Sequence, residues 1–405
     1  MPVLMSGNLG APALAATTGA GVPVVFVGGT LNSLGAIRSL SRGAMPIFVI
    51  DTSRRCPSAW SRYCEFVRAP SLEGGDLIDC LVALAARLPP RPVLAVSNDI
   101  AVEAISAHRD RVEPLYRISL PSMEMVRALG DKALFQTLAR REGFSVPRGA
   151  ALTDVNDLSE LQQLSPPLIL KPADKGFVLN GVVERAVRVE SLAEAEAAAT
   201  RMLGRVPSVI AQEWIDGPDT EIFFTLFVCD QRGGLLGLFC GRKVVCSPPA
   251  IGNTAVCVAA PEAEDELRAQ TLSFIARVGY RGIGGLEFKR DSRTHRFLIV
   301  EPTVCRTDWQ SEIATLCGVN LPWLAYCSEV GLPVTAEQPG SPPVAWQASL
   351  EVGAPAGALP PGTRVVDGYF RWSDPVPALY YYGFERVLVR IWHRARRLMG
   401  WRKTG

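Results

Sequence analysis

Two apolar runs stand either side of a short polar segment, and each carries one glutamate. The first reads Ile283-Gly284-Gly285-Leu286-Glu287-Phe288-Lys289, the second Phe297-Leu298-Ile299-Val300-Glu301-Pro302. Between them, Arg290-Asp291-Ser292-Arg293-Thr294-His295 has the polar composition that closes a hairpin. A hairpin centred on Thr294 sets Glu287 opposite Glu301 with both carboxylates on one face. Like charges across a ladder repel, so that arrangement calls for a cation between them, and hard divalent ions take oxygen ligands. The plainer alternative is a pair of solvated strand-end glutamates.

The surrounding chain has room for such a site. It has 405 residues, 48% hydrophobic and 20% charged, which is the balance of a folded protein of about two or three domains. Its formal net charge of +2 implies no general attraction to nucleic acid. Ten cysteines are scattered without a Cys-x-x-Cys pair, which argues against zinc and for reduced thiols in a cytoplasm. Residues 1–21 are rich in Ala, Gly and Thr and lack Lys and Arg, so they read as a disordered leader, not a signal peptide. No apolar run is long enough to cross a bilayer.

From residue 22 to about 121, apolar runs at 23–27, 47–50 and 92–96 alternate with helical periodicity (Leu34, Ile37, Leu40; Leu77, Ile78, Leu81, Leu84). That is the pattern of a Rossmann-like α/β domain with a parallel sheet, whose ligands bind beyond the C-terminal strand ends. Gly28-Gly29, Asp51 and Asn98-Asp99 fall there. Residues 122–331 are instead α+β. A helix carries Met125, Val126, Leu129, Leu134, Phe135 and Leu138. Strands are expected at 168–171, 182–189, 209–214, 222–228 and 235–240, and helices at 192–203 and 265–278. Residues 332–405 read as a Pro/Gly-rich surface extension ending in a basic helix.

Several short motifs bear on chemistry. Lys171-Pro172 ends the apolar run Leu168-Ile169-Leu170, where a lysine needs a partner for its charge. The turn that follows, with Lys175 and Gly176, could offer an ammonium and backbone N–H donors to phosphates. Lys132 follows Gly130-Asp131 at a helix start, where the dipole adds positive potential. Gln212-Glu213-Trp214-Ile215-Asp216-Gly217 forms an acidic linker into the strand beginning at Glu221. Its backbone could pair with an adenine edge while a carboxylate accepts from ribose.

Taken in order, Asp131-Lys132, Lys171-Pro172, Gln212 to Gly217, Leu286-Glu287-Phe288 and Val300-Glu301-Pro302 resemble the ATP-grasp superfamily. The resemblance covers about 122–331, and the preceding sheet is similar to the domain found before it in such enzymes. The likeness is to the carboxylate–amine ligase branch, which includes D-aspartate ligase-like and carbamoyl-phosphate-synthase-like proteins. It implies an ATP-grasp fold of two α+β subdomains, with a small lid at about 140–215. It implies ATP phosphates held by Lys132 and Lys171, with Lys175 and Gly176 in the phosphate turn. Glu213 and the backbone of Trp214 and Ile215 would hold adenine, and Glu221 the ribose. Glu287 and Glu301 would bind Mg2+, or Mn2+ in its place, with Thr303 as a third ligand. Arg242, Lys243 and Arg306 would place cationic groups near the γ-phosphate and the acceptor carboxylate. Thr303 stands where the family usually has Asn, and Cys305 where it often has Arg, with Arg306 one residue on.

The implied reaction is ATP-dependent ligation of a carboxylate to an amine through an acyl phosphate, with small-molecule substrates and no nucleic acid. Ligases of this kind often pair, so a homodimer is one of the oligomeric states the sequence leaves open. Two rivals remain open. One is an ATP-binding regulatory or scaffold protein without turnover, suggested by Thr303 and Cys305. The other is an NAD(P)-dependent oxidoreductase using Gly28 to Asp51, although the G-x-G-x-x-G spacing is missing. The C-terminal run of Arg386, Arg390, Arg394, Arg396, Arg397, Arg402 and Lys403, with Trp392 and Trp401, has two readings. It is a solvated face over a packed stripe, or a peripheral contact with the inner face of an anionic membrane.

Overall fold

The computed structural model describes residues 21–173, 183–184, 186–249, 252–334 and 343–385. Residues 1–20 of the expected leader (1–21), the expected phosphate turn with Lys175 and Gly176, and the basic C-terminal segment lie outside the described residues.

Three sheets organise the described chain. The first is wholly parallel, in the order β3-β2-β1-β4, and comprises β1 (Val24–Val27), β2 (Ile47–Asp51), β3 (Glu65–Arg68) and β4 (Val93–Val96). Side chains alternate along a strand, so an all-apolar strand requires cover on both faces. Val25 and Val27 pack with helices Gly74–Ala85 and Asp99–Ala107. Val24 and Phe26 pack with helix Leu31–Leu40 and with Tyr326 and Cys327 of helix Leu321–Val330.

The second sheet runs β5-β8-β6-β7, from β5 (Gly149–Leu152), β6 (Leu168–Pro172), β7 (Val187–Val189) and β8 (Val209–Glu213), with antiparallel pairings. Leu168, Leu170, Val209 and Ala211 bury one face against the alanine-rich helix Leu192–Leu203. Its small side chains allow close approach. The other face presents Ile169, Lys171 and Gln212.

The third and largest sheet has the order β13-β12-β9-β10-β11-β14-β15. Its strands are β9 (Ile222–Cys229), β10 (Leu235–Ser247), β11 (Asn253–Ala259), β12 (Gly282–Arg290), β13 (Phe297–Val304), β14 (Val344–Gln347) and β15 (Arg364–Asp367). The interior strand β9 is buried throughout. Phe223 and Phe227 face helix Glu264–Val278 through Leu267, Phe274 and Ile275. Phe224, Leu226 and Val228 face Leu31, Leu34, Ile313, Leu321 and Leu324. The large sheet thus shares its core with the first.

The expected extension at 332–405 needs correction. Within its described part, Val344–Gln347 is a buried strand pairing with β11, and β15 adds a parallel edge beside it. Proline and glycine on either side of this four-residue run concealed it. Short strands are common at sheet edges, where little pattern survives in the sequence.

The last described segment is bolted to helix Leu31–Leu40, which covers the first sheet, by a buried ion pair. Arg38 Nε donates to Asp374 Oδ2 at 3.0 Å, and its other nitrogens donate to the carbonyls of Gly368, Tyr369 and Asp374. Asp374 is 0% exposed and also accepts from Ser61 Oγ (2.9 Å) and the Arg62 N–H (3.0 Å). A buried charge persists only when satisfied in this way, and removing one partner costs about 3–5 kcal/mol. Asp374→Ala is therefore expected to lower unfolding free energy by about 3 kcal/mol or more, read from urea denaturation. A loss below about 1 kcal/mol would show that the clasp is dispensable.

Candidate active site

A cavity of about 360 Å³ opens between the second and third sheets and reaches the C-terminal end of the first. Most of the residues singled out above line it: Lys132, Lys171, Glu213, Trp214, Ile215, Lys243, Glu287, Glu301, Thr303 and Arg306.

The hairpin of β12 and β13 places the two glutamates. Glu287 pairs directly with Glu301, and Gly285 with Thr303. A bulge follows, so Phe288 pairs with Ile299 and Val300 is the extra residue. Glu301 and Thr303, two apart on β13, share the cavity face.

The positive charge beside them comes from Lys243 on β10, only 4% exposed, whose Nζ donates to Glu287 Oε2 at 2.5 Å. Burial pulls its pKa down, but Glu287 and the other acidic groups around it outweigh this and hold it up. Gly241 lies across the ladder from Phe224, and a Cβ there would meet the Phe224 ring at 2.3 Å. Arg242 points the other way, since neighbours on a strand face opposite sides, and lies 3.5 Å from Glu262 outside the cavity. That corrects its expected place by the γ-phosphate.

The wall that carries Lys132 and Lys171 is built from two elements. Asp131 caps helix Lys132–Glu142 by accepting from the N–H groups of Ala133 and Leu134 (2.8 and 2.9 Å). The Lys132 N–H reaches the Ala173 carbonyl at 3.5 Å, which sets the helix start against the end of β6 where Lys171 sits. Gln212 is held in the same wall by Gln136 (2.9 Å), which in turn donates to the Pro147 carbonyl (3.0 Å).

At the linker, Glu213 Oε1 accepts from the Ser165 N–H at 3.0 Å, and the Trp214 N–H donates to the Pro167 carbonyl. That N–H is therefore spent, and of the two expected backbone donors only Ile215 is left for a base edge. Glu221 also needs correction. It makes a bidentate pair with Arg290 (2.5 and 3.0 Å) and does not line the cavity, so it is not presented to a ribose.

Arg306 owes its position to backbone geometry. By alternation Cys305 would follow Glu301 and Thr303 into the cavity. Cys305 instead adopts φ +55°, uncommon for a side-chain-bearing residue, and its thiol is buried in the core. The turn is pinned by the Cys305 N–H, which donates to the Tyr280 hydroxyl at 2.8 Å. Arg306 then enters the cavity, donating to both oxygens of Asp99 (2.5 and 3.2 Å) and lying 3.5 Å from Asp308. Burial pulls its pKa down, yet Asp99 and Asp308 more than offset this and raise it. The displaced guanidinium is thereby explained.

Sequence reasoning passed over Lys289, Asn253, Thr254, Asp308, Trp309 and Gln310, which also line the cavity. Lys289 Nζ lies 5.3 Å from the Trp214 ring centroid and donates to the Gly217 carbonyl at 2.8 Å. Burial lowers its pKa. The spacing of Glu287 and Lys289 on one strand was the available signal.

The glycine turn of the first sheet is knitted into its own domain. Gly28 has φ +92°, and the Gly29 N–H donates to Asp51 Oδ2 at 2.7 Å. The two features behind a dinucleotide reading thus satisfy each other.

Among the described residues, no group of three or more His, Cys, Asp and Glu gathers to hold a metal unaided. Two carboxylates fit Mg2+ shared with nucleotide phosphates, because that ion is usually held by one or two carboxylates plus phosphate oxygens.

No family model matches the chain, and no curated protein matches it. Solved structures do. N5-carboxyaminoimidazole synthetase from Staphylococcus aureus aligns over 78% of this chain and 79% of its own, with 13% identity and a TM-score of 0.61. The biotin carboxylase domain of Hydrogenobacter thermophilus 2-oxoglutarate carboxylase, with ADP, MgADP and bicarbonate, covers 78% and 71% at 16% identity and TM-score 0.60. L-amino acid ligase from Bacillus licheniformis covers 76% and 74% at 15% identity and TM-score 0.57. These likenesses establish the fold: a parallel-sheet domain followed by an ATP-grasp fold, as the motif order implied.

Among the described residues, no cysteine or histidine lines the cavity. Burial pushes the thiols of Cys64, Cys229, Cys240 and Cys246 up to about 12. In the unfolded chain they ionise from about pH 9, so between these values the native state holds more protons. Their contribution is fully present below pH 9 and is lost as pH rises through about 12. Denaturation midpoints are expected to fall as pH rises from 9 towards 12, and less steeply in Cys240→Ala/Cys246→Ala than in wild type.

Proposed function

We propose that the protein is an ATP-dependent ligase that joins a carboxylate to an amine and releases ADP and phosphate. The observation that carries this reading is the Glu287–Glu301 pair, set across one cavity from Lys132 and Lys171. The γ-phosphoryl group passes to a carboxylate oxygen as its bond to the β-phosphate oxygen breaks. The amine nitrogen then attacks the acyl carbon, phosphate leaves, and the nitrogen gives up a proton. Both steps need charge compensation and alignment more than a side-chain nucleophile.

Glu287, Glu301 and the Thr303 hydroxyl would hold Mg2+, or Mn2+ in its place. The ion would supply a positive centre against phosphate oxygens. Lys132 and Lys171 offset charge on the phosphates, and Lys243 keeps Glu287 oriented. Lys289 and Trp214 wall the base end, beside Ile215. Arg306, steered by Asp99, stands at the opposite end, where it can orient the acceptor carboxylate. Similar folds crystallised with ADP and with MgADP support the nucleotide assignment. A homodimer is part of the proposal, in line with the domain dimer of the Hydrogenobacter protein.

A second reading has one observation in its favour: Lys243 already occupies an oxygen of Glu287, which suits a nucleotide sensor without turnover. Incubation with Mg-ATP and a panel of carboxylates and amines separates the two by ADP release. Glu287→Gln and Glu301→Gln are each expected to cut ADP formation about 100-fold or more; Glu301→Gln keeps a melting temperature near that of wild type, whereas Glu287→Gln, which strips buried Lys243 of its counter-charge, lowers it. Full turnover in both variants would sink the metal assignment. Tight ATP binding without ADP release across the panel would favour the sensor.

A further inference from the structure

The last described segment carries an apolar surface that plays no part in the cavity. Trp372 is 89% exposed, Leu379 67% and Phe384 59%, with Val376 also exposed. These side chains are seated, not loose. Trp372 packs edge-on to Phe370 at 5.0 Å, and Phe384 lies 6.0 Å from Tyr380, which stacks on Trp60 at 5.0 Å. Four large apolar groups held out to water along one segment mark an interaction site.

An arginine-lined groove adjoins it. Arg38 and Arg371 line it together with the exposed Arg42 and Arg364, and Ser373, next to Trp372 in the chain, is part of its wall. The Tyr63 hydroxyl donates to the Ser373 carbonyl at 3.2 Å and fixes this junction. Glu312 is the one carboxylate among the described lining residues, and it is engaged by Arg371 at 2.7 Å. Beyond Glu385, the sequence of residues 386–405 contains seven Arg and Lys and no Asp or Glu. Cationic groups therefore lie on both sides of the apolar surface in chain order.

We propose that this face docks on an anionic phospholipid bilayer. Trp372, Leu379 and Phe384 enter the interfacial region, and the arginine groove takes phosphodiester head groups. Charge complementarity selects the occupant. Aliphatic and aromatic side chains flanked by arginine match a surface that is apolar at depth and anionic at the rim. Nucleic acid would use the cations and the rings but has no use for exposed Leu379 and Val376. The docking face is independent of the ligase reading.

The full chain is tested by co-sedimentation with vesicles of phosphatidylcholine alone and of phosphatidylcholine mixed with phosphatidylglycerol. Binding to the mixed vesicles only, weakening as salt rises, is expected. Trp372→Ala/Leu379→Ser/Phe384→Ser should bind about tenfold or more weakly, with an unchanged melting temperature as the control for folding. Arg42→Ser/Arg364→Ser, which leaves the apolar groups intact, should weaken binding several-fold and flatten its salt dependence. Three results would overturn the proposal: no binding of wild type to mixed vesicles, equal binding to neutral ones, or wild-type affinity in both variants. Single-stranded RNA displacing the protein from vesicles at comparable concentration would assign the face to nucleic acid instead.

Discussion

Two carboxylates fixed side by side on neighbouring strands repel, and the site is arranged around that repulsion. The β12–β13 register leaves Glu287 and Glu301 no freedom to move apart. Lys243 answers from two strands away, nearly buried, and reaches Glu287 across β9, where the lack of a side chain at Gly241 makes room for the Phe224 ring. An ammonium so deep in a sheet is stable only because the carboxylate is there, and the carboxylate is held in place by the ammonium. Together they form a pre-oriented half-site whose charge balance a metal-bound nucleotide would complete.

The rest of the cavity divides its work between sheets. The second sheet and the helix beginning at Lys132 supply ammonium groups. The third supplies carboxylates and Lys289, and the loop after β13 supplies Arg306. The second sheet contributes through the face opposite its packed core, as Leu168 and Leu170 against Ile169 and Lys171 illustrate, whereas in the third Glu287 shares its face with the packed Phe224. A deep hydrophobic interior and a polar cleft therefore come from the same alternating strands.

Legibility in the sequence followed the range of the interactions concerned. The Glu287–Glu301 register could be read directly because a hairpin is local and its turn chemistry sets its centre. Lys132 and Lys171 were readable as a helix start and a strand end. Arg242 and Lys243 were indistinguishable in sequence, since which one faces the cavity depends on which side of β10 the Glu264–Val278 helix covers. Glu221 looked available until Arg290, on another strand, claimed it. Strand β11 passed unread, and Asn253 and Thr254 with it. Strand β14 was hidden because its partner strand lies far away in sequence and its flanks are Pro/Gly-rich.

The left-handed turn at Cys305 carries a consequence for how the molecule can move. By releasing the chain from β13 it delivers the next residues to the first sheet. There Asn32 Nδ2 donates to the Ser97 and Thr307 carbonyls (3.2 and 2.5 Å), and Asp99 grips Arg306. The guanidinium thus belongs mechanically to the parallel-sheet domain, although it follows Glu301 by only five positions. The first and third sheets share one hydrophobic core, so this grip ties them into a single body and fixes the guanidinium relative to Glu301.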